Sequence, residues 1–131
     1  STVEFFTDLR DHLNPTGVIS INVANPSRDD RLVNALAATM DAVMEQVYII
    51  RIPKPSAGAI LIGTRHAITL DEVYRNFKAA EAHAVSGLIH YLGKKHIERY
   101  EGKGLVMTDD QAPVERLMDL MIFEEIARQT Q

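Results

Sequence analysis

The sequence predicts an α/β fold: a three-stranded mixed sheet with helices, followed by a helical tail. Two observations carry this. A β-branched run, a long helical repeat and a second β-branched run follow one another before residue 53, and a third apolar run comes after only a short turn. Beyond Thr64 the apolar residues keep helical spacing instead. The resulting order is α-β-α-β-β and then helices. At 131 residues, the chain suits one domain with about two-thirds of its unfolded surface buried.

In segment 2–13, Phe5, Phe6, Leu9 and Leu13 share a helical face, and Thr2 is available as the N-cap. Pro15 disfavours helical backbone in the residue before it, so this helix stops at Asn14. A turn, Asn14-Pro15-Thr16-Gly17, leads to a strand over 18–24. Asn25-Pro26-Ser27 breaks that strand, and Ser27 suits the N-cap of a helix over 28–44, where Leu32, Val33, Leu36, Met40 and Val43 recur at helical spacing. Strands over 46–52 and 58–64 follow, separated by Pro53-Lys54-Pro55-Ser56. The strand-helix-strand unit makes the first two strands parallel, while the short link from Ile52 to Gly58 forces the third to run antiparallel. Such a sheet leaves a long apolar edge at 18–24 unless something covers it. The tail comprises helices over 70–92 and 111–129. Gly87 lies inside the first, at a cost of about 1 kcal/mol relative to Ala. The second carries Val114, Leu117, Met118, Met121, Ile122 and Ile126 on one face, expected to be core or a seam between two copies. The whole arrangement looks like the second half of a doubly wound sheet.

Composition removes several functions. The net charge of −4 and the lack of a basic stripe argue against nucleic-acid binding. No cysteine occurs, which excludes disulfides, zinc–thiolate sites and thiol nucleophiles and fits a cytoplasmic setting. The apolar runs are too short to insert into a membrane.

Two stretches resemble a known family. The first is Thr2-x-Glu4-Phe5-Phe6, then Leu13-Asn14-Pro15-Thr16-Gly17-Val18 and Asn22-Val23. The second is Thr108-Asp109-Asp110-Gln111-Ala112-Pro113-Val114-Glu115-Arg116-Leu117. Both are similar to stretches of bacterial spermidine synthase-like proteins, which have the class I S-adenosylmethionine-dependent methyltransferase fold, a Rossmann-like architecture. The resemblance implies the C-terminal half of such a protein: the closing strands of its sheet, with the glycine-rich cofactor turn and the carboxylate that activates the amine lying upstream of anything here. It implies aminopropyl or methyl transfer from S-adenosylmethionine or its decarboxylated form to an amine, in a homo-oligomer. This chain alone is then expected to bind no cofactor and to carry no catalytic residue. The family's tyrosine before its last strand has no counterpart in Pro53-Lys54-Pro55-Ser56-Ala57, and Lys54 repels a polycation.

Five residues are candidates for the substrate cleft. Asn22 and Asn25 lie at the end of the first strand, where open α/β sheets bind ligands, although Asn25-Pro26 also initiates turns unaided. Lys54 lies in the turn before the last strand. Asp109 and Asp110 precede the final helix, where they either cap it or hold a cationic group, and Glu115 can join either role. His83, His90 and His96 lack the i, i+3 or i, i+4 pair of a helical metal site, so no metal is expected. Ser20, Ser27, Ser56 and Ser86 have no histidine partner at informative spacing, which leaves a serine hydrolase unsupported. The alternative to a transferase is a non-catalytic interaction module that uses the open strand edge and the Met-rich last helix.

Overall fold

The computed structural model describes residues 1–24, 29–53, 58–79, 93–102, 104–111 and 113–129. In chain order these form α1 (Val3–Asp11), β1 (Val18–Ala24), α2 (Arg31–Asp41), β2 (Gln46–Ile52), β3 (Gly58–Thr64), α3 (Leu70–Ala79), one 3-10 turn (Lys94–His96), β4 (Ile97–Arg99) and α4 (Val114–Gln129). Thr2 caps α1 as its position predicts, in extended backbone, with Oγ1 accepting the Phe5 N–H at 3.3 Å. Phe6 is fully buried while Phe5 stays 46% exposed, because neighbours on a helix point about 100° apart.

The strands lie in the order β1-β3-β2-β4. β1 and β2 run in the same direction, as a strand-helix-strand unit requires, but they are not neighbours. β3 returns between them and pairs antiparallel with both. The expected mixed sheet is therefore corrected: every adjacent pair is antiparallel. The short link after Ile52 can only bring β3 back beside β2, and it fills the gap that the α2 crossover leaves. The expected count of three strands is corrected as well. β4 pairs antiparallel with Tyr48–Ile50, and its three residues are too few to show periodicity in the sequence.

Both faces of the sheet carry a core. On one, Ile19, Val23, Val47, Ile49 and Leu61 pack against Phe6 of α1 and Leu32, Val33, Leu36 and Met40 of α2. On the other, Tyr48, Ile50, Ile62 and Ile97 meet Val73, with Leu70, Tyr74 and Phe77 of α3 beside it. This explains why β2 and β3 read as continuous apolar runs, whereas β1 alternates. Ile19 and Val23 are buried, but Val18, Ser20, Asn22 and Ala24 are exposed on the opposite face. Among the described residues, β1 has a strand partner on one side only.

The tail differs from expectation at α4. Val114 and Leu117 pack on the first core, but Met118, Ile122 and Ile126 are 46%, 52% and 54% exposed. The stripe expected to be core is therefore largely open. Leu120 and Phe123 are also exposed, so the helix is apolar on several sides. Among the described side chains, Val114 and Leu117 in its first turn pack on the core, while the side chain of Met121 lies outside the described residues. The expected helix over 70–92 is seen as far as Ala79; its remainder, with Gly87, His83 and His90, lies outside the described residues. The same holds for Asn25, Pro26, Ser27, Lys54 and Ser56. Among the described residues, no helix is long and apolar enough to cross a membrane.

The chain after β4 runs over α2 at close range. A Cβ on Gly104 would lie 2.4 Å from the Asn34 carbonyl oxygen and 2.9 Å from the Ala38 Cβ. Gly104→Ala is expected to cost about 1–3 kcal/mol in equilibrium urea unfolding, because backbone must shift. Gly63→Ala is expected to cost less, since its new Cβ meets the side chains of Met40 and Met44, which can move.

Candidate functional site

The carboxyl ends of β1 and β2 carry the densest group of charges. Asp30 stands at the N-cap position of α2, yet its side chain caps nothing; its Oδ1 accepts from Arg51 Nη1 at 2.6 Å. Arg51, near the end of β2, also donates through Nε and Nη2 to Glu98 of β4 at 3.1 and 3.0 Å. Next to this lies a second group. Asp29 accepts from the backbone N–H and the Nε of Arg31, each at 3.0 Å on Oδ1. Arg31 Nη2 reaches Glu124 of α4 at 2.6 Å. The Arg31 guanidinium holds the Asp29 carboxyl below the usual carboxylate range. Among the described residues, these four carboxylates face the guanidiniums of Arg31 and Arg51, with the Arg128 charge also acting on Asp29, so carboxylates outnumber guanidiniums at this rim. Such a rim attracts cations and repels anions.

A second polar group lies at the start of α1. Thr2 Oγ1 donates to Asp109 Oδ1 at 2.5 Å while it caps the helix, and the Asp109 N–H donates to Glu4 Oε2 at 3.0 Å. The Val3 N–H donates to the Met107 carbonyl at 2.9 Å, and the Met107 N–H to the buried Thr39 Oγ1 at 2.9 Å. Thr39 in turn donates to the Ala35 carbonyl at 2.7 Å. Residues 108–111 close a tight turn in which Thr108 and Gln111 exchange backbone hydrogen bonds. Asp109 thus works at the N-terminus of α1, where a negative charge is favourable.

The structure separates the cleft candidates that it describes. Asn22 is exposed on β1, in register with Ile60, Ile50 and Ile97, which lie on the α3 face. Asp109 lies with α1, on the other face. Asp110 is exposed in its turn. Asn25 and Lys54 lie outside the described residues, as does the side chain of Glu115. His96 sits half-buried in the 3-10 turn, and no group of three His, Asp or Glu among the described residues is placed to hold a metal ion. The sequence reading missed Asp29, Asp30, Arg31, Arg51, Glu98 and Glu124. The pair Asp29-Asp30 just ahead of a helix was the available signal, since it has the composition of a helix start.

No protein-family model matches the chain, and neither a curated protein nor a solved structure matches it.

Two substitutions separate an architectural from a solvent-exposed role. Thr2→Ala removes the cap and the Asp109 contact together and is expected to cost about 1–2 kcal/mol. Asp110→Ala is expected to stay within about 0.5 kcal/mol of the parent protein. Thermal or urea unfolding of the two variants side by side checks both.

Proposed function

We propose that the chain is the closing portion of a spermidine synthase-like transferase of Rossmann-like, class I methyltransferase fold. In that reading it walls the cleft where an amine attacks the carbon of a sulfonium donor, in a cytoplasmic enzyme. The strand order carries the reading. β1 and β2 run the same way, α2 joins them, and a reversed β3 lies between them. A last strand inserted antiparallel between its two parallel predecessors is the closing pattern of that fold. Two further features agree with it. β1 keeps an edge on which another strand can pair, and the negative rim at the carboxyl ends suits a cationic amine.

The donor, S-adenosylmethionine or its decarboxylated form, does not fit the described residues by themselves. The strand-to-helix connections 25–30 and 65–69 contain no glycine for close approach to a nucleotide, and in the third, 100–113, Gly102 is packed against the Tyr100 ring and Gly104 against α2. Cofactor binding is therefore assigned to a portion of the enzyme other than these 131 residues. A non-catalytic module that pairs with a second copy is the other reading. It is favoured by the exposure of Met118, Ile122, Phe123 and Ile126 on α4.

The deciding measurement is the intact mass of the protein as its host makes it, followed by calorimetric titration with both donors. The expected outcome is a mass well above 14.6 kDa, saturable donor binding by that species, and none by the 131-residue chain alone. A native species of 14.6 kDa, or donor binding by the short chain, overturns the assignment. Dimerisation of that native 14.6 kDa species in sedimentation velocity selects the interaction module instead.

A further inference from the structure

At the opposite end of the sheet lies a cavity of about 380 Å³, within the roughly 300–1,000 Å³ of small-molecule sites. It opens where β2 begins, β4 ends and α3 starts. Tyr48, Ile68 and Leu70 supply apolar wall, and Gln46, Glu72 and Arg99 the charged and amide groups. The transferase rim lies at the carboxyl ends of β1 and β2, so this cavity is independent of that reading.

The walls are held in place by their own hydrogen bonds. Gln46 Oε1 accepts the Ile68 N–H at 2.7 Å, and the Tyr48 hydroxyl donates to the Ile68 carbonyl. Both bonds tie the 65–69 connection to β2. Glu72 is occupied: its Oε2 accepts the Thr69 N–H at 2.7 Å and the Thr69 hydroxyl at 2.8 Å, and its own N–H donates to Thr69 Oγ1 at 3.2 Å. This reciprocal box closes the start of α3. The same bonds hold the Glu72 carboxyl below the usual range, so it stays ionised at neutral pH.

Arg99 is what remains. It stands opposite Tyr48 in the sheet register, and its side chain is exposed. Among the described residues, it donates no hydrogen bond within the usual distance and forms no close ion pair. Its charge is felt at Tyr48 and at Asp41, in each case opposing the upward push that burial gives the group, yet neither is within ion-pair or hydrogen-bond distance of it. With the Gln46 oxygen spent on Ile68, the amide nitrogen of Gln46 is a second donor at the same cavity. A guanidinium and an amide donor above apolar wall recognise an anion with an apolar body. The ionised Glu72 disfavours a dianion there. We propose that the cavity between Tyr48, Leu70 and Arg99 binds a small monocarboxylate, with the carboxylate on the Arg99 guanidinium and the apolar body against Tyr48 and Leu70.

The test uses phenylacetate as the probe and titrates it into the ¹⁵N-labelled chain, with inorganic phosphate and benzylamine run alongside. Saturable shifts at the Ile68, Thr69 and Leu70 amides are expected with phenylacetate. Arg99→Gln should weaken that binding about tenfold, as loss of one charge-assisted contact implies. Because Arg99 is exposed, the rest of the spectrum should remain that of the folded protein, and Arg99→Lys should fall between the two. The proposal is overturned by an absence of saturable shifts, by equal affinity in Arg99→Gln, or by phosphate or benzylamine binding at least as tightly as phenylacetate.

Discussion

β3 has to satisfy a neighbour on each edge and a core on each face, and the other elements are arranged around that demand. Its backbone pairs with β1 on one side and β2 on the other along the whole of Gly58–Thr64. Leu61 turns to the α1/α2 core and Ile62 to the α3 core. A polar residue at either position would sit in apolar surroundings without a partner. This is why the strand is so uniformly apolar. Its place also fixes the distance between β1 and β2, and with it the span that α2 must cross.

A chain of hydrogen bonds then ties the far end of the sequence to the near one. The buried Thr39 hydroxyl satisfies the Met107 N–H, the Met107 carbonyl satisfies the Val3 N–H, and Asp109 takes the Thr2 hydroxyl that caps α1. Each group would otherwise be a donor or acceptor left over at a helix end or in the core. The described residues between Tyr100 and Asp109 lie outside helices and strands, yet they close the first core: Tyr100 and Met107 are buried within it. Gly104 permits this, because only a residue without a side chain can lie so close to the Asn34 carbonyl.

The two ends of the sheet differ in chemistry as a result. At the carboxyl ends of β1 and β2, the guanidiniums of Arg31 and Arg51 are consumed by carboxylates just ahead of α2, on β4 and on α4, which outnumber the guanidiniums described there. At the amino end of β2, the carboxylate that lines the cavity is consumed by a helix cap, and Arg99, whose charge also reaches Asp41, makes no hydrogen bond or close ion pair among the described residues. The two proposed ligand classes, cationic and anionic, are therefore assigned to opposite ends of the sheet. Neither preference can be read from the net charge of −4, which averages over both.

Much of the fold was legible in local sequence. The Thr2 cap, the span of β1, β2 and β3 and the antiparallel return of β3 all follow from backbone stereochemistry, side-chain periodicity and the length of a link, whereas α1 ends at Asp11, short of the Asn14 stop expected from Pro15. Those properties act over a few residues, so a sequence displays them directly. The Asp109–Asp110 pair was legible only as a helix cap or a cation site, since its partner Thr2 is 107 residues away. Only the tertiary structure decided that β3 lies between β1 and β2, that β4 exists, that Asn22 and Asp109 belong to different faces, and that Met118, Ile122 and Ile126 of α4 are exposed. It also decided that Arg31 and Arg51 are paired with carboxylates while Arg99, among the described residues, is not. These outcomes depend on which surfaces are brought together across the chain, and charge pairing and burial are properties of that meeting, not of residue type or spacing.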